Sequence, residues 1–261
     1  KLAEAIGWCR PEQVNDVAEA IVTIQRDHGN RINRKHARFK YTVVKLGLDW
    51  IREELERRLG YAIEPAQPFA FTRNGDDFGW SKSEDGVLPL LVFTQNGRLA
   101  DTKLTTQLTG MREIARIHKG DFRLTPNQNV VIANVPGDQV ASIDKLVAKH
   151  GLDTYKQLSK LRLHSIACVA LPTCGQAMAE AERYLPHLVD KIEDLLETPH
   201  LENQAITIRM TGCPNGCARP YLAEVGLVGK APGRFNLHLG AAFDGTRLNR
   251  MMLENADEPQ I

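Results

Sequence analysis

Two pairs of cysteines are the residues whose type and spacing point most directly to chemistry. Cys168 and Cys174 have five residues between them, Cys213 and Cys217 have three, and thirty-eight residues separate the two pairs. Cysteines of a structural zinc site are usually about two to four residues apart, so the first pair is wide for zinc. An iron-sulfur cubane is larger than one ion and needs four thiolates, which accommodates the wider spacing. From spacing alone, a cluster, a zinc ion and four unrelated buried cysteines all remain open.

The sequence around both pairs favours a built site over chance burial. A Pro-Asn-Gly turn lies between the cysteines of the second pair, and such a turn keeps backbone N–H groups close enough to stabilise a reduced cluster. A helix is predicted to follow Cys174, and the dipole at its N-terminus would favour a thiolate there. The fifth cysteine, Cys9, stands alone and is interpreted as core packing.

A basic stretch, GNRINRKHARFKYT, is the second candidate feature. Its cations, which no acidic residue interrupts, are Arg31, Arg34, Lys35, Arg38 and Lys40. In helical geometry the first four would lie on one face, where guanidinium groups suit carboxylates or phosphates. The stretch is therefore either a solvated face or a clamp for a polyanionic ligand.

Composition limits the function classes that the chain can serve. The 261 residues carry 33 basic and 32 acidic side chains, a net charge of +1, so no overall attraction to nucleic acid or to anionic lipid is expected. No apolar run approaches the roughly 18 residues that a membrane helix needs. Five cysteines are few for a chain of this length, and an odd number would leave one without a partner in a disulfide framework. A reducing compartment is therefore the better fit, and we expect a cytoplasmic protein.

The first third is predicted to be helical and to end in a linker. Apolar spacing indicates one helix over residues 11–26 and a second over residues 43–60, with Gly60 as its stop. Residues 62–80 are rich in Pro, Gly and Asp and are predicted to form a linker or domain crossing.

The remaining elements alternate between strands and helices. Two short strands are expected to form a hairpin around Asn96 and Gly97. A helix ending at Gly120, strands in DFRLT and NVVIANV, and a helix in GDQVASIDKLVAKHG complete a small α+β unit. Beyond Cys174, the predicted helix kinks at Pro186 and runs to about Glu197, and strands are expected in AITIRMTG, EVGLVGKA and RFNLHLGAAF.

With these stretches in view, the chain resembles the sulfite and nitrite reductase family over essentially its full length. The resemblance is carried by ACVALPTC, AMAEAERYLP, MTGCPNGCARPYLAEVGLVGKAPGRFNLHLG, IHKGDFRLTPNQN and the basic stretch. The four-cysteine pattern is its most specific part.

The resemblance implies a site and a reaction. It places a [4Fe-4S] cluster on Cys168, Cys174, Cys213 and Cys217, with Cys217 also the axial ligand that bridges to the iron of a siroheme. Arg31 and Lys40 match cationic positions that hold siroheme carboxylates. The implied reaction is the six-electron reduction of sulfite to hydrogen sulfide in sulfate assimilation and cysteine biosynthesis.

The resemblance also implies a partner. The branch that this chain matches takes electrons from a NADPH-dependent flavoprotein (alpha) subunit, which carries the FAD and FMN. Ferredoxin-dependent sulfite reductases and siroheme nitrite reductases share the cysteine frame and remain alternatives within the family. A zinc-stabilised binding module without redox activity is the alternative from another class.

The implied fold class is α+β, a siroheme-reductase fold with a ferredoxin-like half-domain and mixed α/β cluster-binding domains, incomplete at both ends. We expect residues 1–80 to be the C-terminal part of a siroheme-contacting domain, residues 81–154 the second ferredoxin-like repeat, and residues 155–261 a truncated cluster domain. The residues that hold sulfite are expected before Lys1, so the fragment alone is expected to be inactive. Arg123 and Asn127, in the second repeat, are not assigned to substrate binding.

Overall fold

The computed structural model describes residues 2–71, 74–82, 88–197 and 204–261. The chain divides into two compact units, residues 1–70 and residues 71–261. The boundary falls inside the segment that the sequence predicts as a linker. Each unit is described by itself below.

The first unit is a small helical assembly. Its helices are α1 (Val14–His28), α2 (Phe39–Leu46) and α3 (Leu48–Leu59). They share an apolar core of Ala20, Ile24, Ile51, Leu55 and Ile63. The predicted first helix is confirmed, because its apolar residues recur at the spacing that buries one face. Gly60 ends α3 in the left-handed conformation, with φ 77°, as a helix C-terminus favours.

One prediction in this unit was wrong, and the helical arrangement considered for the basic stretch is not adopted. The expected single helix over residues 43–60 is broken at Gly47, whose φ of 87° separates α2 from α3. The basic stretch does not form one helical face. The side-chain oxygen of Asn30 accepts from the N–H groups of Ile32 and Asn33, and a short 3-10 turn, Arg34–His36, precedes α2. Side-chain bonds of this kind compete with a continuous helix.

The second unit begins with a four-stranded antiparallel sheet in the order β1 (Gly79–Trp80), β2 (Leu88–Val92), β4 (Val130–Val135) and β3 (Asp121–Leu124). Helices α4 (Gln107–Ile117) and α5 (Val140–His150) belong to the same unit. The shared core consists of Leu90, Val92, Ile114, Ile132, Val135, Ile143, Val147 and Leu152. The predicted helices are confirmed, although α4 ends at Ile117 and not at Gly120, and the two predicted strands β3 and β4 are present and pair with each other.

The predicted hairpin around Asn96 and Gly97 is wrong. Gln95–Gly97 form a 3-10 turn, and β2 pairs with β1 and β4. The residues after the turn are used elsewhere, because Asn96 Nδ2 donates to the carbonyl of Glu182 at 2.9 Å and Arg98 pairs with the Glu182 carboxylate. Val87, at the start of the expected first strand, lies outside the described residues.

The rest of this unit is a five-stranded mixed sheet in the order β5 (Ser165–Ala167), β6 (Ile208–Thr211), β7 (Val225–Ala231), β8 (Arg234–Leu239) and β9 (Arg250–Ala256). The first three strands are parallel and the last two are antiparallel to their neighbours. Helices α6 (Lys160–Leu163) and α7 (Leu185–Glu197) accompany it. Residues of the strands and of these two helices form one apolar core. Its buried members include Leu161, Leu185, Leu188, Val189, Ile208, Met210, Leu227, Phe235 and Leu237.

The helix predicted after Cys174 is confirmed only from Leu185 to its expected end at Glu197, and its first part was wrong. Turns occupy the chain until α7 begins at Leu185, and Pro186 lies in the first turn of that helix, where a missing N–H is tolerated. The N–H groups of Met178 and Ala179 donate to the carbonyl of Gly212, at 2.7 and 3.1 Å. These donors therefore join two loops and do not form a helix.

The described helices include none long and apolar enough to cross a bilayer. The observed architecture, helices beside two separate sheets, is the predicted α+β class.

Candidate metal centre

The two cysteine pairs follow neighbouring parallel strands. Cys168 comes directly after β5, and Cys213 comes two residues after the end of β6. Ala167 is paired with Met210, so the two chains leave the sheet at the same edge. The carboxyl ends of parallel strands are where α/β sheets build their sites.

Hydrogen bonds hold the two cysteine loops against each other. The N–H of Gly212 donates to Cys168 Sγ at 3.3 Å, and Asn215 Nδ2 donates to Gln176 Oε1 at 2.9 Å. The N–H of Cys174 donates to the carbonyl of Ala170 at 2.8 Å, which fixes the position of that cysteine in the first loop. All four cysteines are free thiols.

The cysteines differ in exposure in an ordered way. Cys213 is 8% exposed, Cys168 and Cys174 are half-buried, and Cys217 is exposed. A group held by all four would be enclosed on the side of Cys213, while the sulfur of Cys217 remains accessible from outside.

The two cysteine pairs are close enough to affect each other electrostatically. Burial raises the pKa of the Cys168 thiol, the N–H groups of Gly212 and Ala170 act in the opposite direction, and the nearby Cys217 and Cys213 raise this pKa further. Binding of a metal displaces the thiol protons, and the positive charge of the metal offsets the repulsion between the resulting thiolates.

Four thiolates on two joined loops are the donor set that a [4Fe-4S] cluster needs. In the described ranges no three His, Cys, Asp or Glu side chains converge closely enough to hold one metal ion. A cubane takes its four thiolates on separate irons and needs no convergence on one point.

A polar network joins the turn that carries Cys217 to the loop between β3 and β4 of the four-stranded sheet. Arg219 Nη2 donates to the carbonyl of Pro126 at 2.7 Å and to Asn127 Oδ1 at 3.0 Å. Asn127 Nδ2 in turn donates to Asp76 Oδ1 at 3.1 Å, and Asp76 Oδ2 accepts from Thr125 and Asn129. Asn127 therefore helps to position the turn that carries Cys217. Arg123 is exposed, and its Nη2 lies 3.7 Å from Asp121 Oδ2.

Two further contacts position the first cysteine loop. Gln128 Nε2 donates to the carbonyl of Ala167, next to Cys168, at 2.8 Å. Glu182, paired with Arg98, donates its N–H to the carbonyl of Cys168 at 3.1 Å. Neither contact could be predicted from the sequence, because nothing in the local sequence distinguishes Gln128 or Glu182 from an ordinary turn residue.

The predicted siroheme contacts lie in the first unit. Arg31 is exposed and donates from Nη2 to the carbonyl of Arg26 at 2.9 Å. Lys40 is exposed on α2, with its Nζ 5.1 Å from the ring centroid of Tyr41. Their predicted role stays a prediction. Cys9, also in this unit, is half-buried.

Comparison with known protein families gives two matches. Residues 1–63 match the family described as "Nitrite and sulphite reductase 4Fe-4S domain", and residues 82–150 match "Nitrite/Sulfite reductase ferredoxin-like half domain". The chain belongs to the nitrite and sulfite reductase family. The first match contains a single cysteine, Cys9, so its description does not locate the cluster ligands, and the four candidate cysteines lie outside both matches.

Within this family, similar curated proteins share one name. The chain is 56% identical to "Sulfite reductase [NADPH] hemoprotein beta-component" of Anoxybacillus flavithermus and of Bacillus subtilis, and 54% identical to that of Nitrobacter winogradskyi. The matches cover all of this chain and 45–46% of each relative. The chain thus spans about half the length of the curated relatives it matches.

A solved structure has the same fold. The Mycobacterium tuberculosis NirA protein superposes with a TM-score of 0.81 at 27% identity, over 99% of this chain and 49% of that one. The family resemblance and the α+β fold expected from the sequence are both confirmed.

Proposed function

We propose that this chain carries the redox centre of a NADPH-dependent sulfite reductase. In this proposal Cys168, Cys174, Cys213 and Cys217 hold a [4Fe-4S] cluster. The observation that carries it is that both cysteine pairs follow the parallel strands β5 and β6 at one edge of the mixed sheet, on loops that hydrogen-bond directly to each other.

Cys217 is the proposed bridge to a siroheme. It is the exposed member of the four cysteines, so its sulfur can reach a group bound outside the cluster. The turn that carries it is held by Arg219, which restricts where the sulfur can point. Cys217 is the residue to which we assign the axial thiolate.

Exposed cations of the first unit are the proposed holders of the siroheme carboxylates. Arg31 and Lys40 are exposed and carry no ion pair with an acidic side chain among the described residues. Guanidinium and ammonium groups of this kind suit a ligand with several carboxylates.

The bound groups supply one-electron storage and a metal site for the substrate, which a six-electron reduction of sulfite to hydrogen sulfide requires. The protein supplies the rest: the N–H of Gly212 donates to a cysteine sulfur, and two fixed loops orient the thiolates. Hydrogen bonds to sulfur are among the features that set a cluster's potential.

The proposed electron donor is a NADPH-dependent flavoprotein carrying FAD and FMN. The shared name of the curated relatives supports this branch over a ferredoxin-dependent one. Free cysteines are in keeping with a reducing, cytoplasmic setting for the whole protein.

The test is a cofactor and activity analysis of the full-length gene product, purified without added metal. We expect siroheme absorption, about four irons and four acid-labile sulfides per chain in the cluster, and conversion of sulfite to sulfide with NADPH and the flavoprotein. Nitrite serves as the competing substrate. Zinc without sulfide would overturn the cluster, and turnover of nitrite alone would overturn the choice of substrate.

A further inference from the structure

Arg209 is a charged side chain in the middle of a buried strand. It lies on β6 between Ile208 and Met210, is 2% exposed, and is among the largest fully buried side chains. Ile208 and Met210 belong to the apolar core on one face of the sheet. Since side chains of a strand alternate between faces, Arg209 points to the opposite face.

The guanidinium of Arg209 has no compensating partner in the part of the chain that the structure describes. Its buried Nε makes no hydrogen bond. The charged or titratable groups that act on it are Arg219, which repels it, and His164. Burial lowers the pKa of Arg209 to about 10, and Arg219 contributes in the same direction, so the side chain stays charged at neutral pH. A buried charge without a partner is costly.

The second cysteine loop covers the face to which Arg209 points. Arg209 is paired with Gly226 on β7, and directly paired residues share a face. A Cβ at Gly226 would collide with the carbonyl of Pro220, three residues after Cys217. On the same face, Thr211 Oγ1 donates to the carbonyl of Cys213 at 3.1 Å. Arg209 thus lies beneath the loop of residues 213–220.

The first cysteine loop is also close. Arg209 is paired across the sheet with Ile166, and Cys168 follows two residues later, about 7 Å along the strand. The strand residue that carries the unpaired cation is therefore a neighbour of both loops that carry the proposed ligands.

We propose that Arg209 is the built-in counter-charge of the iron-sulfur cluster and raises its reduction potential. This inference rests on the proposed function. Four thiolates make the cluster site anionic, and each reduction adds one electron and one further negative charge with no proton taken up. A fixed cation beneath the loop stabilises the reduced form more than the oxidised form, since cluster potentials depend on local net charge and burial.

The role assigned to Arg209 differs from simple packing. A packing role depends on the shape of the side chain, whereas a counter-charge role depends on its charge. Arg209→Met keeps an unbranched chain and removes the charge, while Arg209→Lys keeps the charge and changes the shape.

The experiment is an EPR-monitored redox titration of the cluster in the full-length holoprotein, with dithionite as the one-electron reductant. For Arg209→Met we expect about a tenfold lower ratio of reduced to oxidised cluster at a fixed potential, which is about 59 mV for a one-electron couple. Arg209→Lys is expected to stay near the wild type.

The matched control is Arg234→Met. Arg234 lies on β8 of the same sheet and donates to Asp257 Oδ2 at 3.1 Å, so its charge is already balanced. Its loss should leave the potential unchanged. An unchanged potential in Arg209→Met with full cluster content would overturn the proposal, and so would equal shifts in Arg209→Met and Arg209→Lys.

If Arg209→Met does not retain the cluster, Arg209→Gln replaces it, and a wild-type potential in that variant equally overturns the proposal. Failure of the proposed function would look different. In that case the wild-type protein itself would contain no cluster to titrate.

Discussion

At the scale of single residues, the four cysteines differ in what their loss should do. Cys213 is enclosed and Cys217 is exposed. In the proposed function Cys213 therefore serves the cluster alone, while Cys217 can also reach a siroheme. Cys9 lies in the other unit and is half-buried. It offers a matched cysteine that is not one of the four proposed ligands.

Cys217→Ser in the full-length protein should lose most of its cluster and the electronic coupling between cluster and heme, because a hydroxyl is a poor substitute for a soft thiolate. Iron, acid-labile sulfide and EPR spectra of the reduced protein measure both effects. Cys9→Ser should keep wild-type cofactor content. Equal losses in the two variants would show that the ligands are misassigned.

At the scale of elements, the site depends on how closely two loops approach. Gly212 lies at their junction: its N–H donates to Cys168 Sγ, and its carbonyl accepts from Met178 and Ala179. A Cβ at this position would lie 2.6 Å from the carbonyl oxygen of Ala179 and 2.7 Å from Ala170 Cβ. Only glycine allows this approach without displacing backbone.

Gly212→Ala should therefore lower the free energy of unfolding by about 1–3 kcal/mol, the usual cost of overpacking, and should reduce cluster content. Chemical denaturation and iron analysis test the two effects. Gly175→Ala is the control, because a Cβ there meets nothing within 4 Å. Normal stability and cluster content in Gly212→Ala would show that the site does not depend on the close approach of the two cysteine loops at this residue.

At the scale of the whole molecule, the chain corresponds to about half of a longer protein. Its match covers 46% of the length of the relatives from Anoxybacillus flavithermus and Bacillus subtilis. The proposed function assigns it the cluster ligands and two siroheme contacts, and it assigns no sulfite-binding residue to this chain. The proposed activity thus belongs to the full-length protein.

We expect residues 1–261 expressed alone to form no sulfide from sulfite, even with a chemical reductant, while the full-length protein does. Sulfide release measured in parallel, with cofactor content determined for both, tests this expectation. Sulfide formation by the 261-residue chain would show that it contains a complete substrate site.

The amino-acid sequence by itself determined the cysteine frame, the family and the helices whose apolar residues recur at a helical spacing, such as α1, α4 and α5. These features are local, or are carried by residue identity. It also placed β6, β7 and β8, whereas β5 and β9 were not predicted.

Only the tertiary structure decided which segments meet. The parallel pairing of β5 with β6 brings the cysteine pairs to one edge, and the bonds of Gly212 to residues 178 and 179 take the donors that a helix after Cys174 would need. The burial of Arg209 beneath a cysteine loop is likewise decided there. Strand partners and buried charges depend on contacts between residues far apart in the chain, and local periodicity does not record them.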